Sequence, residues 1–157
     1  MKLNELSLSA LEEALSKCCG ATAWVKKMLT IFPVKDEDSL LAAATRYWHE
    51  CSPADWLEAF DHHPKIGGQT TSKWAAQEQS SVAHTTPSVL QALATGNQLY
   101  QEKFGYIFIV CATGKPAEEM LSLLNERLTH TPSAEIKIAM EEQDKITRIR
   151  LKKLLAS

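Results

Sequence analysis

Gly105-Tyr106-Ile107-Phe108-Ile109-Val110-Cys111 is the stretch on which the fold class turns. It is short, aromatic and β-branched, and by pattern alone it reads as a buried strand. A lone strand leaves its backbone N–H and C=O groups without partners, and no other segment offers it a sheet. Two outcomes stay open: the segment pairs across a dimer axis, or tertiary context makes it helical. Everything around it reads as helix. The expected architecture is therefore all-α, a single-domain helical bundle over residues 1–157 with 105–111 as its one ambiguous apolar segment.

Helix signals run outward from this stretch on both sides. Upstream, Thr86-Pro87 opens a helix that carries Leu90, Leu93, Asn97 and Tyr100. Downstream, Pro116 begins one with Met120, Leu123, Leu124 and Leu128, closed near Pro132. The last helix starts at Ser133 and continues through Ile136, Met140, Ile146, Ile149 and Leu154. Its early acids and late bases suit the helix dipole. Nearer the N-terminus, Ser9 with Glu12 reads as a capping box, with Gly20 as the stop. Trp24, Val25 and Met28 mark a second helix that Pro33 cannot continue. A third runs from about Ser39 with Leu40, Ala44, Tyr47 and Trp48 on one face. Ser52-Pro53-Ala54-Asp55 combines a hydroxyl cap, a first-turn proline and an acid at the positive helix end. The helix it opens carries Trp56, Leu57 and Phe60, then breaks at His63-Pro64 and Gly67-Gly68. Ser72 caps a further helix expected over 73–83.

Composition removes several functions. Seventeen Lys+Arg against 19 Asp+Glu give a net charge of −2, which lacks the basic footprint of a nucleic-acid binder. No apolar run approaches the length of a membrane span. The first residues, Met1-Lys2-Leu3-Asn4-Glu5, carry no signal-peptide pattern, and the closing Leu155-Ala156-Ser157 is no peroxisomal address. The expected location is cytoplasmic. Cys18, Cys19, Cys51 and Cys111 form no CxxC pair and lie in apolar surroundings, so they are expected as buried free thiols rather than disulfides or zinc ligands. No GxSxG, P-loop, GxGxxG or HExxH motif occurs.

Three places break the pattern of an ordinary helical core. At His62-His63-Pro64-Lys65-Ile66-Gly67, a histidine is held at a helix end by the proline after it, with an exposed ring expected. Imidazole suits proton transfer near neutral pH, although a solvated loop histidine fits the fragment as well. The two adjacent histidines diverge, so a metal is not expected. Glu78-Gln79 is the second place: with Trp74 and Val82 inward, Glu78 shares the apolar face, where a carboxylate must be paired, solvated by a cleft or shifted in pKa. Arg150 is the third, four residues from both Ile146 and Leu154 and so on an inward stripe. It implies an anion nearby, or a side chain snorkelling along its helix. Imidazole, carboxylate and guanidinium together suit a small anionic substrate rich in hydrogen-bonding groups. Cys111 has no basic neighbour to make it a thiolate, and His49, His84 and His130 have no motif around them.

In order along the chain, Leu3-Asn4-Glu5-Leu6, Trp24, Asp55-Trp56-Leu57-Glu58-Ala59-Phe60, His63-Pro64-Lys65-Ile66-Gly67 and Glu78-Gln79 are followed by two longer pieces. These are Tyr100-Gln101-Glu102-Lys103-Phe104-Gly105-Tyr106-Ile107-Phe108-Ile109-Val110 and Ile146-Thr147-Arg148-Ile149-Arg150-Leu151. The ordered set resembles the 2-oxo-4-hydroxy-4-carboxy-5-ureidoimidazoline (OHCU) decarboxylases of ureide metabolism over nearly the whole chain. The resemblance implies an all-α fold, a homodimer, no cofactor and no metal. It also implies conversion of OHCU to (S)-allantoin and CO2, the last step from urate. By position it makes His63 the catalytic histidine, with Glu78 and Arg150 as further catalytic groups. Pro64, Ala75, Gln79 and the stretch Phe108, Ile109, Val110, Cys111 and Ala112 match substrate-contacting positions. The family often carries Ser-x-x-Glu-Gln where this chain has Ala75. That hydroxyl is missing, or Ser72, Ser80 or a water replaces it. A non-catalytic helical interaction module and a hydrolase acting on a related ureide are the competing readings.

Overall fold

Hydroxyl side chains and prolines decide where the helices of this chain start. In the computed structural model, which describes residues 1–68, 72–82 and 84–157, the Ser52 hydroxyl accepts from the Asp55 N–H at 3.3 Å. The Asp55 carboxylate returns the contact to the Ser52 N–H at 2.9 Å, with Pro53 in the first turn. Thr86 and Ser72 likewise accept from Val89 and Ala75 N–H groups, satisfying donors that a helix start leaves open. Among the described residues there are eight α-helices and no strand. The all-α expectation holds, and no described helix is long and apolar enough to cross a membrane.

The described chain divides into two compact units, Met1–His62 with Gln143–Ser157, and His63–Glu142. The first contains α1 (Leu8–Cys18), α2 (Thr22–Leu29), α3 (Glu37–Glu50), α4 (Pro53–Phe60) and the second half of α8 (Pro132–Ala156). Two boundaries differ from expectation. The cap of α1 is Ser7, whose hydroxyl accepts from Ala10 N–H at 3.2 Å, and not Ser9. The carboxylate of Asp36, a stronger acceptor than a hydroxyl, starts α3 ahead of Ser39. Within this unit α2 packs against α1, α3 and α4. Trp24 is fully buried, and its indole N–H donates to the Ala44 carbonyl at 3.0 Å. Trp56 donates to the Trp48 carbonyl at 3.1 Å, with the two rings 6.3 Å apart. Each indole thus buries its apolar body without stranding its donor.

The second unit contains α5 (Lys73–Glu78), α6 (Pro87–Phe104), α7 (Ala117–Arg127) and the first half of α8. Helix α5 is shorter than the span 73–83 expected. It passes at Gln79 into a turn that buries Val82, and Ala83 lies outside the described residues. Helices α6 and α7 pack closely at Gly96, where a Cβ would fall 2.6 Å from the Leu124 Cδ2.

The ambiguous segment resolves as neither expected form within the chain. Gly105 ends α6 in the left-handed conformation, φ +85°, and residues 107–112 follow with no regular secondary structure. Residues 108–112 are all buried, so their backbone groups need partners. Side chains supply several of them, at Ile109 and Cys111. The Arg127 guanidinium donates to the Ile109 carbonyl at 2.5 Å, the Glu142 carboxylate accepts from the Cys111 N–H at 3.1 Å, and Lys115 donates to the Cys111 carbonyl at 2.9 Å. Arg127 is held by the fully buried Glu135, N to O 2.5 Å, and lies 4.6 Å over the Phe108 ring. The Tyr100 hydroxyl donates to the same carboxylate, and His130 Nδ1 lies 3.0 Å from its other oxygen. Burial holds the Tyr100 phenol far above its usual range, with a contribution from Glu135.

Two predictions follow from these buried groups. Arg127→Met or Glu135→Ala leaves an uncompensated charge inside the second unit and should cost about 3–5 kcal/mol, measured by urea unfolding of each variant against the parent chain. In the first unit, burial pushes the Cys19 thiol up to about 12 from an ordinary 9.0. The folded state therefore keeps its proton to higher pH than the unfolded chain. This contribution to stability is complete below about pH 9 and is lost as pH rises towards 12. Native Cys19 should resist iodoacetamide at pH 8 and react on unfolding, as read by mass spectrometry.

Candidate active site

Helix α4 ends at Phe60, and the His62 N–H closes a last turn on the Ala59 carbonyl at 3.1 Å. Proline at 64 then forces His63 out of helical geometry. His63 and Pro64 are half-buried, so the ring is less exposed than the sequence suggested. His62, by contrast, belongs to the first unit, where its ring occupies the space a Cβ on Gly20 would need, 2.2 Å from Cδ2.

The loop that follows His63 is fixed along its backbone. The Gly68 N–H bonds the Lys65 carbonyl at 3.0 Å, and Gly67 takes φ +82°, which favours glycine. The Gln79 side-chain oxygen accepts from the Gly67 N–H at 3.0 Å. The Asn97 amide N–H donates to the Ile66 carbonyl at 2.9 Å. Ile66 is buried, whereas Lys65 between the two histidine-side residues and Ile66 stays exposed.

Helix α5 carries the carboxylate expected nearby in sequence. Glu78 is buried, 8% exposed, together with Ala75, while Trp74 is half-buried. Ser72 and Ser80 stand on either side of Ala75, where the hydroxyl is missing. Ser72 uses its oxygen as the cap of α5, accepting from the Ala75 N–H itself, and Ser80 is exposed. Gln79 is oriented by Gly67: its oxygen holds the loop and keeps a second lone pair, and its NH2 can donate.

The stretch 108–112 belongs to the same unit as His63, Pro64, Ala75, Glu78 and Gln79. Its backbone is partly committed. Ile109 C=O and both backbone groups of Cys111 are bonded by side chains, and the Ala112 carbonyl accepts from Lys115 N–H at 3.0 Å. The Val110 N–H and C=O have no hydrogen-bond partner among the described residues. Phe108, whose N–H and C=O are equally without a partner among the described residues, shares with Val110 a donor and an acceptor to offer.

Arg150 lies in the first unit. It is buried, 8% exposed, and donates to the Lys17 carbonyl at 3.2 Å, near the C-terminal end of α1. The residue is inward, as its helical phase suggested, and one contact of its guanidinium is a carbonyl at a negative helix end. His49 and His130 engage the Thr45 carbonyl and Glu135, while His84 is exposed. All four cysteines are free and buried, as expected.

Several residues that hold this geometry were not singled out by sequence. Asn97 and Glu142 face inward from helices read as apolar stripes, and Arg127 and Glu135 are buried charges to which the sequence reading gave no role. The rule that flagged Glu78, a polar residue in phase with apolar neighbours, applies equally to Asn97 between Leu93 and Tyr100.

The family model for OHCU decarboxylase matches residues 4–152. The uric acid degradation bifunctional protein TTL of Arabidopsis thaliana is 39% identical over 153 residues, covering 92% of this chain and 47% of that protein. The chain thus spans about half the length of that relative. A 2-oxo-4-hydroxy-4-carboxy-5-ureidoimidazoline decarboxylase of Halalkalicoccus jeotgali is 25% identical over 156 residues, 97% of this chain and 89% of that one. Among solved structures, a crystal structure of OHCU decarboxylase in the presence of (S)-allantoin superposes with a TM-score of 0.84 at 39% identity. It covers 93% of this chain and 99% of that one. With a family match that takes in both compact units, the chain belongs to the OHCU decarboxylase family.

Proposed function

We propose that this chain is a carboxy-lyase that converts OHCU to (S)-allantoin and CO2, the final step of urate degradation to allantoin, with no cofactor. The observation that carries the reading is the His63 loop, whose backbone is tied to Gln79 and Asn97 in a unit that also buries Glu78. The substrate's own chemistry supplies the electron sink. Its ring carbon 4 bears both the carboxylate and a hydroxyl, and the neighbouring carbon 5 is double-bonded to nitrogen. As the bond to CO2 breaks, its electron pair forms the 4,5 double bond, and the imine pair moves to nitrogen, which takes a proton. The hydroxyl then loses its proton to become the allantoin carbonyl while carbon 5 gains one.

His63 is the proposed proton carrier between these positions, because the same imidazole can accept at one atom and return a proton at another. Delivery of the carbon 5 proton from one fixed side accounts for a single enantiomer. Glu78 is the proposed partner that sets the imidazole tautomer or holds a ring N–H. The Gln79 NH2 is a donor that suits a substrate carbonyl. Phe108 and Val110 each offer one backbone donor and one acceptor, which match a ureido group, and Pro64, Ile109, Cys111 and Ala112 shape the surroundings. Arg150 is the proposed guanidinium for an anionic or carbonyl group of the substrate. The proposed compartment is the cytoplasm, in keeping with four free cysteines. A homodimer is the proposed assembly, which light scattering at micromolar concentration tests.

The activity is tested by generating OHCU in situ from urate and following allantoin by circular dichroism. Stereospecific acceleration over the uncatalysed decay is the expected result, and equal rates would favour a non-catalytic interaction module. Ring opening with the labelled carboxyl carbon retained would instead indicate a hydrolase. His63→Ala and His63→Asn should each lower kcat by about 10²–10⁴-fold, whereas His62→Ala should stay active. More than a tenth of the parent turnover in either His63 variant would remove this residue from the mechanism.

A further inference from the structure

Asn97 sits eleven residues into α6 and is only 3% exposed. Asparagine is a weak helix former, and a buried amide is costly unless both of its ends are bonded. Only one end is. The N–H donates to the Ile66 carbonyl at 2.9 Å, which fixes the orientation of the amide, and Oδ1 is left buried without a hydrogen-bond partner among the described residues. Packing alone would be served by an apolar residue of similar size, so the costly amide is explained by what its one bond does.

That bond closes a small mechanical system. Ile66 stands three residues after His63, and the intervening Pro64 has its φ fixed by its ring. Asn97 holds the Ile66 carbonyl from one helix while Gln79 holds the Gly67 N–H from another element. The same face of α6 supports the loop, since Leu90 and Leu93 lie within 4.0 Å of where a Gly67 Cβ would stand. The single peptide group joining Ile66 to Gly67 is thus clamped at both its carbonyl and its N–H, with few free torsions left between the clamp and the imidazole. The loop's own contribution is one turn, closed by the Gly68 N–H on the Lys65 carbonyl at 3.0 Å, while Lys65 is exposed and Gly67 and Gly68 add freedom.

We infer that Asn97 is a positioning residue for His63, acting through the Ile66 carbonyl rather than by touching substrate. The inference rests on the proposed role of His63, so its test uses one readout tied to turnover and one that is not. The first is kcat and KM for OHCU decay in Asn97→Ala and in the isosteric Asn97→Asp. The second is tryptic cleavage of the folded protein at the Lys65–Ile66 bond, compared with cleavage after Lys17 in the other unit.

Asn97→Ala should lower kcat by about 10–100-fold, the scale of a small misplacement of a catalytic group, with KM within about threefold, and should raise cleavage at Lys65 alone. Asn97→Asp fills the same space. Its ionised carboxylate cannot donate to the Ile66 carbonyl, and its protonated form can. The ratio of its kcat to that of the parent should therefore rise as pH falls through the carboxyl range. If Asn97→Ala does not fold, this ratio decides the matter. Loop cleavage that increases while kcat is kept would overturn the inference, as would kcat lost with cleavage unchanged or a flat pH ratio in Asn97→Asp. A parent chain that does not accelerate OHCU decay at all would sink the proposed function instead, leaving the cleavage result to report on the clamp by itself.

Discussion

A guanidinium stands in this protein where a second β-strand would otherwise be needed. The apolar run after α6 is too hydrophobic to leave in water and too irregular to satisfy its own backbone. Arg127 resolves the conflict by donating to Ile109 from a position that Glu135 neutralises and Phe108 covers. Replacing such a pair with apolar residues is often harmless elsewhere. Here it would also strand the Ile109 carbonyl and the Tyr100 hydroxyl, so the ion pair is bound to the conformation of the stretch it serves.

The same device recurs at lower charge around the histidine loop. Loops near a reactive group have to be held in one shape without regular secondary structure, and side-chain amides can bond single peptide groups wherever a helix presents them. Gln79 and Asn97 do this on adjacent residues, one accepting and one donating. Glu142 and Lys115 treat Cys111 in the same way. Side chains reaching main-chain atoms thus organise the second unit, and the first adds packed tryptophans whose indole donors end on helix carbonyls.

The readable part of the sequence was whatever local chemistry decides. Hydroxyl caps, first-turn prolines and the break at His63-Pro64 placed most helices within a few residues. Ser7 displaced Ser9 because both hydroxyls offer the same bond and only packing chooses between them. The all-α class followed by elimination, yet the form of 105–111 did not, since the two alternatives weighed both assumed backbone partners and the partners are side chains from Arg127, Glu142 and Lys115. Histidine 63 and Glu78 were visible from motif and helical phase. Asn97 was not, because a bond between residues 31 positions apart leaves no periodic trace. Its only mark was an amide in phase with leucines.

Gly96 precedes that amide, and its bare Cα lets Leu124 press against α6. Successive residues on a helix are turned by about 100°, so the depth of this contact sets the roll of α6 about its axis. The roll in turn sets the bearing of the next side chain. A methyl group added at 96 would touch nothing near the imidazole. It would nonetheless be felt there, as a sideways swing of the prop beneath Ile66.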